Sequence, residues 1–175
     1  RRPRAGGRIV TPHIHILVGP TGAGKTTHAH RLAEGRRAIV FSIDEWMRTL
    51  FSADLKPADG FAAVAQRTAR ARTQMTLVAR QTLAAGCDAI FDTGLLTRAD
   101  RAAAADMARS LGAPFTFHVI DAPAEARWAR IDRRNTEQGA TFAFPLSRAM
   151  FDLVETIWQA PDARELAQPF YARVS

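Results

Sequence analysis

The run Gly19-Pro20-Thr21-Gly22-Ala23-Gly24-Lys25-Thr26 fits the spacing G-x-x-x-x-G-K-[ST], the most specific chemical signal in the chain. Those residue types suit a phosphate chain. Glycines let backbone N–H groups turn inward around an anion, and a helix opening at Gly24 aims the positive end of its dipole at the same point. Lys25 adds a full charge near the β- and γ-phosphates, and the Thr26 hydroxyl suits a Mg²⁺ ion bridging those oxygens. Gly19, Thr21, Gly22, Ala23, Gly24, Lys25, Thr26 and Thr27 are therefore the expected nucleotide contacts, with ATP and Mg²⁺ as the expected cofactors. Neither N-K-x-D nor D-x-x-G, the guanine and switch signatures of GTPases, occurs. The strands end in Phe91-Asp92-Thr93 and Ile120-Asp121-Ala122 rather than Asp-Glu, and the chain is short for a motor ATPase.

Transfer of a phosphoryl group to a hydroxyl needs a carboxylate that orients the acceptor and takes its proton. Asp44 follows an apolar run directly and is the candidate base; its alternative role is to cap a helix over 45–51. Trp46 and Phe51 read as core residues before pocket residues. Asp92 sits at a strand end, where it would serve either Mg²⁺ or the acceptor. Arg98 and Arg101 share a helical face and are candidates for an anionic part of the acceptor, against a solvated surface as the plainer reading. Arg127, Arg130, Arg133 and Arg134 crowd one segment, an expensive arrangement unless an anion arrives. With Arg130 and Arg134 as catalytic arginines, the segment reads as a lid over 124–145, with Gly139 and 141–145 as its return hinge. The histidines His13, His15, His28, His30 and His118 form no ligand pair, and no zinc site is read from them.

These groups need a frame. Short apolar runs at 13–18, 38–43, 87–91 and 115–120, and a last one near 170–174, read as strands. Helical patterns lie between them at 25–34, 45–51, 61–85 and 99–111, the last with Thr97 as N-cap and Gly112 as its stop. Two more follow at 124–137 and 146–159, each after a proline at its first position. Alternation of this kind predicts an α/β fold in three layers, helices covering both faces of a parallel sheet of about five strands, with right-handed crossovers. A single domain over 13–175 is expected.

Composition fits that frame. The chain has 175 residues, 47% hydrophobic and 23% charged, enough to bury a core. No uninterrupted apolar run is long enough to span a bilayer, so no membrane role is expected. Of the net charge of +7, Arg1, Arg2, Arg4 and Arg8 supply four, so the remainder is only mildly basic. Residues 1–12 read as a disordered Arg-rich leader without the apolar core of an export signal. Cys87, the one cysteine, can form no internal disulfide, and a reducing cytoplasm is expected.

Taken in sequence, the phosphate loop, Asp44, Asp92-Thr93 with Arg101 downstream, Arg134-Asn135, Gly139, Pro145 and Arg148 resemble the polynucleotide-kinase, zeta-toxin and chloramphenicol-phosphotransferase group of P-loop kinases, AAA-like ATP-binding proteins. The resemblance spans residues 14–158. It implies a P-loop NTPase fold of nucleoside-kinase type with a helical lid, Lys25 and Thr26 at ATP and Mg²⁺, Asp44 as base, Asp92 near the acceptor and Arg134 as a lid arginine. One departure stands out. Polynucleotide kinases of this type carry an arginine three residues after the catalytic aspartate; here that position is Met47, and Arg48, one later, becomes the candidate acceptor contact. The expectation is an ATP-dependent kinase acting on a hydroxyl of a small or nucleotide-like acceptor. A polynucleotide 5′-hydroxyl kinase and an ATP-binding regulatory switch are the alternatives; nucleic acid is the less favoured partner.

Overall fold

A computed structural model describes residues 11–54, 60–137 and 145–174. The Arg-rich stretch through position 10 and the expected hinge residues Gly139 and 141–144 lie outside the described residues. Five strands, β1 (Ile14–Val18), β2 (Ala38–Ser42), β3 (Asp88–Leu95), β4 (Phe115–Val119) and β5 (Tyr171–Arg173), form one sheet in the order β2-β3-β1-β4-β5. Every pairing is parallel. β1 is central and all five of its residues are buried, as a strand covered on both faces requires.

Alternation along the strands assigns the layers. Ile14, Ile16 and Val18 point with Phe41, Phe91 and Phe117 into the main core, which takes in Ala71, Met75 and Ala79 of α3 (Gly60–Ala84) and Ala104, Ala105 and Ala108 of α4 (Arg98–Leu111). Leu17 and Ile90 point the other way, against Ala29 of α1 (Lys25–Ala33). Trp46 and Phe51 of α2 (Ile43–Phe51) pack on the main core, so the core reading of both holds. A satellite cluster of Ile131, Leu146 and Phe151 joins α5 (Ala124–Glu137) to α6 (Arg148–Ile157). Among the described residues no helix is long and apolar enough to cross a membrane.

The capping chemistry explains where the boundaries moved. Thr97 caps α4 as expected, in a reciprocal box with Asp100, and replacing such a cap by alanine costs about 1 kcal/mol. α2 begins two residues earlier than the expected 45, because Ser42 Oγ accepts from the Glu45 amide at 3.3 Å; Asp44 is therefore not the cap and lies in the first turn. α6 begins two residues later than the expected 146, because Ser147 caps it through the Met150 amide at 3.2 Å, so Pro145 is not at its first position. β3 runs four residues past the expected Phe91, which places Asp92 inside the strand. A short α7 (Ala163–Leu166), capped by Asp162 and Glu165, was not expected.

A candidate nucleotide and acceptor site

The site begins with a break in the sheet. β1 and β3 stay in register through Ile16 and Phe91, but the next pair is Val18 with Leu95, so β3 carries a bulge over Asp92, Thr93 and Gly94. The bulge aims the buried Asp92 at the start of α1, where Thr26 Oγ1 donates to Asp92 Oδ2 at 2.6 Å. From α3, Arg72 steadies it by donating to Thr93 O at 2.7 Å. Because β3 is the direct neighbour of β1, the loop that follows β1 and the carboxylate of β3 meet without a strand between them.

The loop itself takes conformations that its glycines permit. Gly24 opens α1 at φ 103°, with nothing within 4 Å of where a Cβ would sit, and offers the helix no side-chain cap, so the first-turn amides face open space. Lys25 folds back, its Nζ donating to Gly19 O and Pro20 O at 2.9 Å each. Burial lowers the Lys25 pKa, with the carboxylates of Asp92 and Asp44 working against it. The Asp44 carboxyl is pushed up, first by burial in the cleft and then by repulsion from Asp92, with Lys25 and Arg134 opposing. Asp44 as a residue is exposed, so the upward direction rests on its place on the cavity wall beside Asp92 rather than on deep burial.

A cavity of about 460 Å³ gathers these groups. Its walls include Thr21, Gly22, Gly24, Lys25, Thr26, Thr27, Asp44, Asp92, Arg130, Arg133 and Arg134. Arg130 reaches Ala23 O at 3.4 Å, and Arg134 has a buried Nε without a partner. Thr26 and Asp92 present two hard oxygens side by side, a donor set suited to Mg²⁺ completed by phosphate oxygens and water. Among the described residues no group of three or more His, Cys, Asp and Glu is placed to hold a metal unaided.

Four of the arginines read from sequence lie elsewhere. Arg101 is 1% exposed, with its Nε and Nη2 on Glu165 at 2.8 Å each and Nη1 on Gln159 O at 2.6 Å. Arg98 pairs with Asp162 at 2.9 Å. Both fasten the chain after α6 to the start of α4, and neither lines the cavity; sequence spacing could not show their distant carboxylates. Exposed Arg48 lines no part of the cavity. Arg127, read from sequence as one of the crowded lid cations, is buried on Glu155 of α6.

The structure also gathers four histidines. His15 Nδ1 and His118 Nε2 are hydrogen-bonded at 2.9 Å, and the rings of His13 and His28 lie within 4.7 Å of His15 and 5.4 Å of His118 respectively. The sequence reading concerned metal ligands only; it did not foresee this hydrogen-bonded pair. Strand parity carried the signal, since positions 15 on β1 and 118 on β4 both face α1. Burial leads in lowering His15 and His118 to about 4; the neighbouring ring of His13 lowers His15 further, and that of His15 lowers His118.

A family model described as an AAA domain matches residues 14–151, most of the chain and all of the site. The chain belongs to this AAA-domain family. No curated protein matches it by sequence. Among solved structures, the AAA-domain chain is similar to one in the Pnkp1/Rnl/Hen1 RNA repair complex at 21% identity and TM-score 0.64, covering 83% of this chain and 43% of that one. It therefore spans less than half of that relative. Kti12 from Chaetomium thermophilum, in complex with ADP-AlF3, gives TM-score 0.64 at 16% identity, covering 93% of this chain and 88% of that one. A sugar kinase from Janibacter sp. gives 0.54 at 19%, covering 94% and 85%. At such identities the likeness is one of fold, and the fold is that of P-loop NTPases.

Proposed function

We propose that the protein is an ATP-dependent phosphotransferase that moves the γ-phosphate of ATP to a hydroxyl of a small acceptor. The observation that carries this reading is the meeting in one cavity of the phosphate loop, Asp92 on Thr26, and a second carboxylate, Asp44, whose pKa is raised. A raised carboxylate is a better proton acceptor, provided it stays ionised at working pH.

In the proposed reaction the acceptor oxygen attacks the γ-phosphorus in line. One P–O bond forms, the bond from the γ-phosphorus to the β–γ bridging oxygen breaks, ADP leaves, and Asp44 takes the hydroxyl proton. Lys25 exchanges the Gly19 and Pro20 carbonyls for phosphate oxygens, and Arg130 and Arg134 face the charge that spreads over the moving group. Mg²⁺, when held at Thr26 and Asp92, neutralises charge on the β- and γ-phosphates. Asp92 thus serves the metal side rather than the acceptor.

A small, uncharged acceptor is the favoured class, since Arg98 and Arg101 are engaged with Asp162 and Glu165 and Arg48 lies outside the cavity. The free Cys87 suits a reducing cytoplasm. The test is transfer of labelled γ-phosphate across sugars, nucleosides, hydroxylated antibiotics and 5′-hydroxyl oligonucleotides. A labelled small molecule is expected; hydrolysis indifferent to every acceptor would point to a regulatory switch instead.

A further inference from the structure

We infer that Arg127 is a positioning residue for the phosphate loop: from its place in α5 it holds the Thr21–Gly22 peptide so that the Gly22 amide points at the nucleotide's phosphates. This rests on the nucleotide reading of the loop and assigns a role outside the cavity.

Arg127 is 4% exposed, and a guanidinium so buried is tolerated only when its donors are satisfied. They are, by three separate parts of the chain. Nε donates to Ala122 O at 2.8 Å, Nη1 donates to Thr21 O at 3.1 Å and to Glu155 Oε1 at 2.7 Å, and Nη2 donates to Glu155 Oε2. The guanidinium also lies over the Phe151 ring, 5.4 Å from its centroid. The Thr21 bond is the informative one. In a trans peptide the carbonyl oxygen and the next residue's N–H point in opposite directions, and the described chain has no cis bond. Drawing Thr21 O toward α5 therefore turns the Gly22 N–H away from α5. Gly22 itself lines the cavity beside Gly24 and Lys25, so that direction leads to the phosphates.

The contact leaves no play. A Cβ on Gly22 would meet Arg127 O at 2.9 Å and Ile131 Cδ1 at 2.9 Å, and the φ of 80° already favours glycine. The first half of α5 is consequently bolted to the loop, and of the four arginines read from sequence as a mobile lid only Arg130, Arg133 and Arg134 face the cavity. Glu155 makes the arrangement possible by balancing the charge, and hydrogen bonds from Arg127 hold its carboxyl below the usual range. Arg127 touches no reacting atom in this scheme. It acts through the loop backbone.

The role separates from mere packing by comparing stability with affinity. Arg127→Met combined with Glu155→Gln removes both charges together, the kind of exchange that leaves stability little changed. Thermal unfolding is expected near wild type, while the Kd for Mg-ATP, read by calorimetry, rises about 10- to 100-fold, the loss of one oriented bond to a charged group. Glu155→Gln alone keeps the bond to Thr21 O, and its Kd should stay near wild type even as unfolding comes earlier. Should the double variant fail to fold, Arg127→Lys retains a cation for Glu155 but no fork for Thr21 O, and a weakened Kd with unchanged circular dichroism is the expected result. Wild-type affinity in a folded double or lysine variant overturns the inference. Absence of Mg-ATP binding by the wild type would instead overturn the nucleotide reading, and this role with it.

Discussion

Successive turns of α1 handle charge in opposite ways. At the opening turn Lys25 and Thr26 face Asp92 and Asp44, and the groups keep charge in a partly buried cleft, displacing the pKa of Asp44 upward and of Lys25 downward. One turn on, His28 lies over His118, which bonds His15, and burial drives these rings toward the neutral form. The difference lies in the surroundings. The opening turn fronts a cavity that a charged ligand can enter, whereas the histidines are pressed between helix and sheet. There Asp88 is 3.7 Å from His15 Nε2, and the cations Arg36 and Arg31 oppose further positive charge. Displaced charge at the first place is available for chemistry; at the second it becomes a dependence of stability on pH.

The largest effect expected from this contrast is at the cleft. Asp44→Asn should retain Mg-ATP binding and lower phosphoryl transfer about 10²- to 10⁴-fold, measured with the acceptor found in the transfer screen. Unchanged transfer would remove Asp44 from the mechanism.

A buried pair remote from the cleft comes next. Hydrogen bonds from Arg101 pull Glu165 down to about 2, and Tyr171, raised to about 12 by burial and then by Glu165, completes the cluster. Glu165→Ala strands the buried Arg101 and should cost about 3–5 kcal/mol in urea unfolding. Nucleotide affinity measured on the folded fraction should not change, because the pair lies outside the cavity.

The histidine joint should respond to acid. His15 and His118 titrate at about 4 in the fold against an ordinary 6.5, so their stabilising effect is complete above pH 6.5 and is lost as pH falls from there to about 4. At pH 5 the loss is about 2 kcal/mol per histidine before coupling between them is counted. Urea midpoints taken from pH 7 to 4.5 should fall along this course, and His118→Gln should flatten it; a slope the variant leaves intact would place the titration elsewhere. Smallest of all, Arg98→Ala loses only an exposed ion pair, and its unfolding should shift by less than about 1 kcal/mol with no change in transfer.

Local chemistry was the legible part of the sequence. The phosphate loop, the Thr97 cap and the β-α alternation are written in neighbouring residues, so five parallel strands could be anticipated. What escaped were pairings between distant segments. Arg101 and Glu165 are 64 positions apart, as are Arg98 and Asp162, and Arg127 and Glu155 are 28 apart. Each of these arginines looked free because its partner follows on another element. Asp92 was read at a strand end because its polarity suggested a boundary, whereas a bulge lets the strand continue past it. The histidines were dismissed by spacing along one element, though parity on two adjacent strands brings His15 and His118 together.

Every role proposed for the cleft depends on the loop from Gly19 to Thr26 holding a triphosphate. Calorimetric titration of wild type and Lys25→Ala with Mg-ATP tests that directly. Saturable one-to-one binding by the wild type, weakened about 100-fold or more in the variant, is the predicted result. No heat with the wild type, or equal affinity in both proteins, would contradict it.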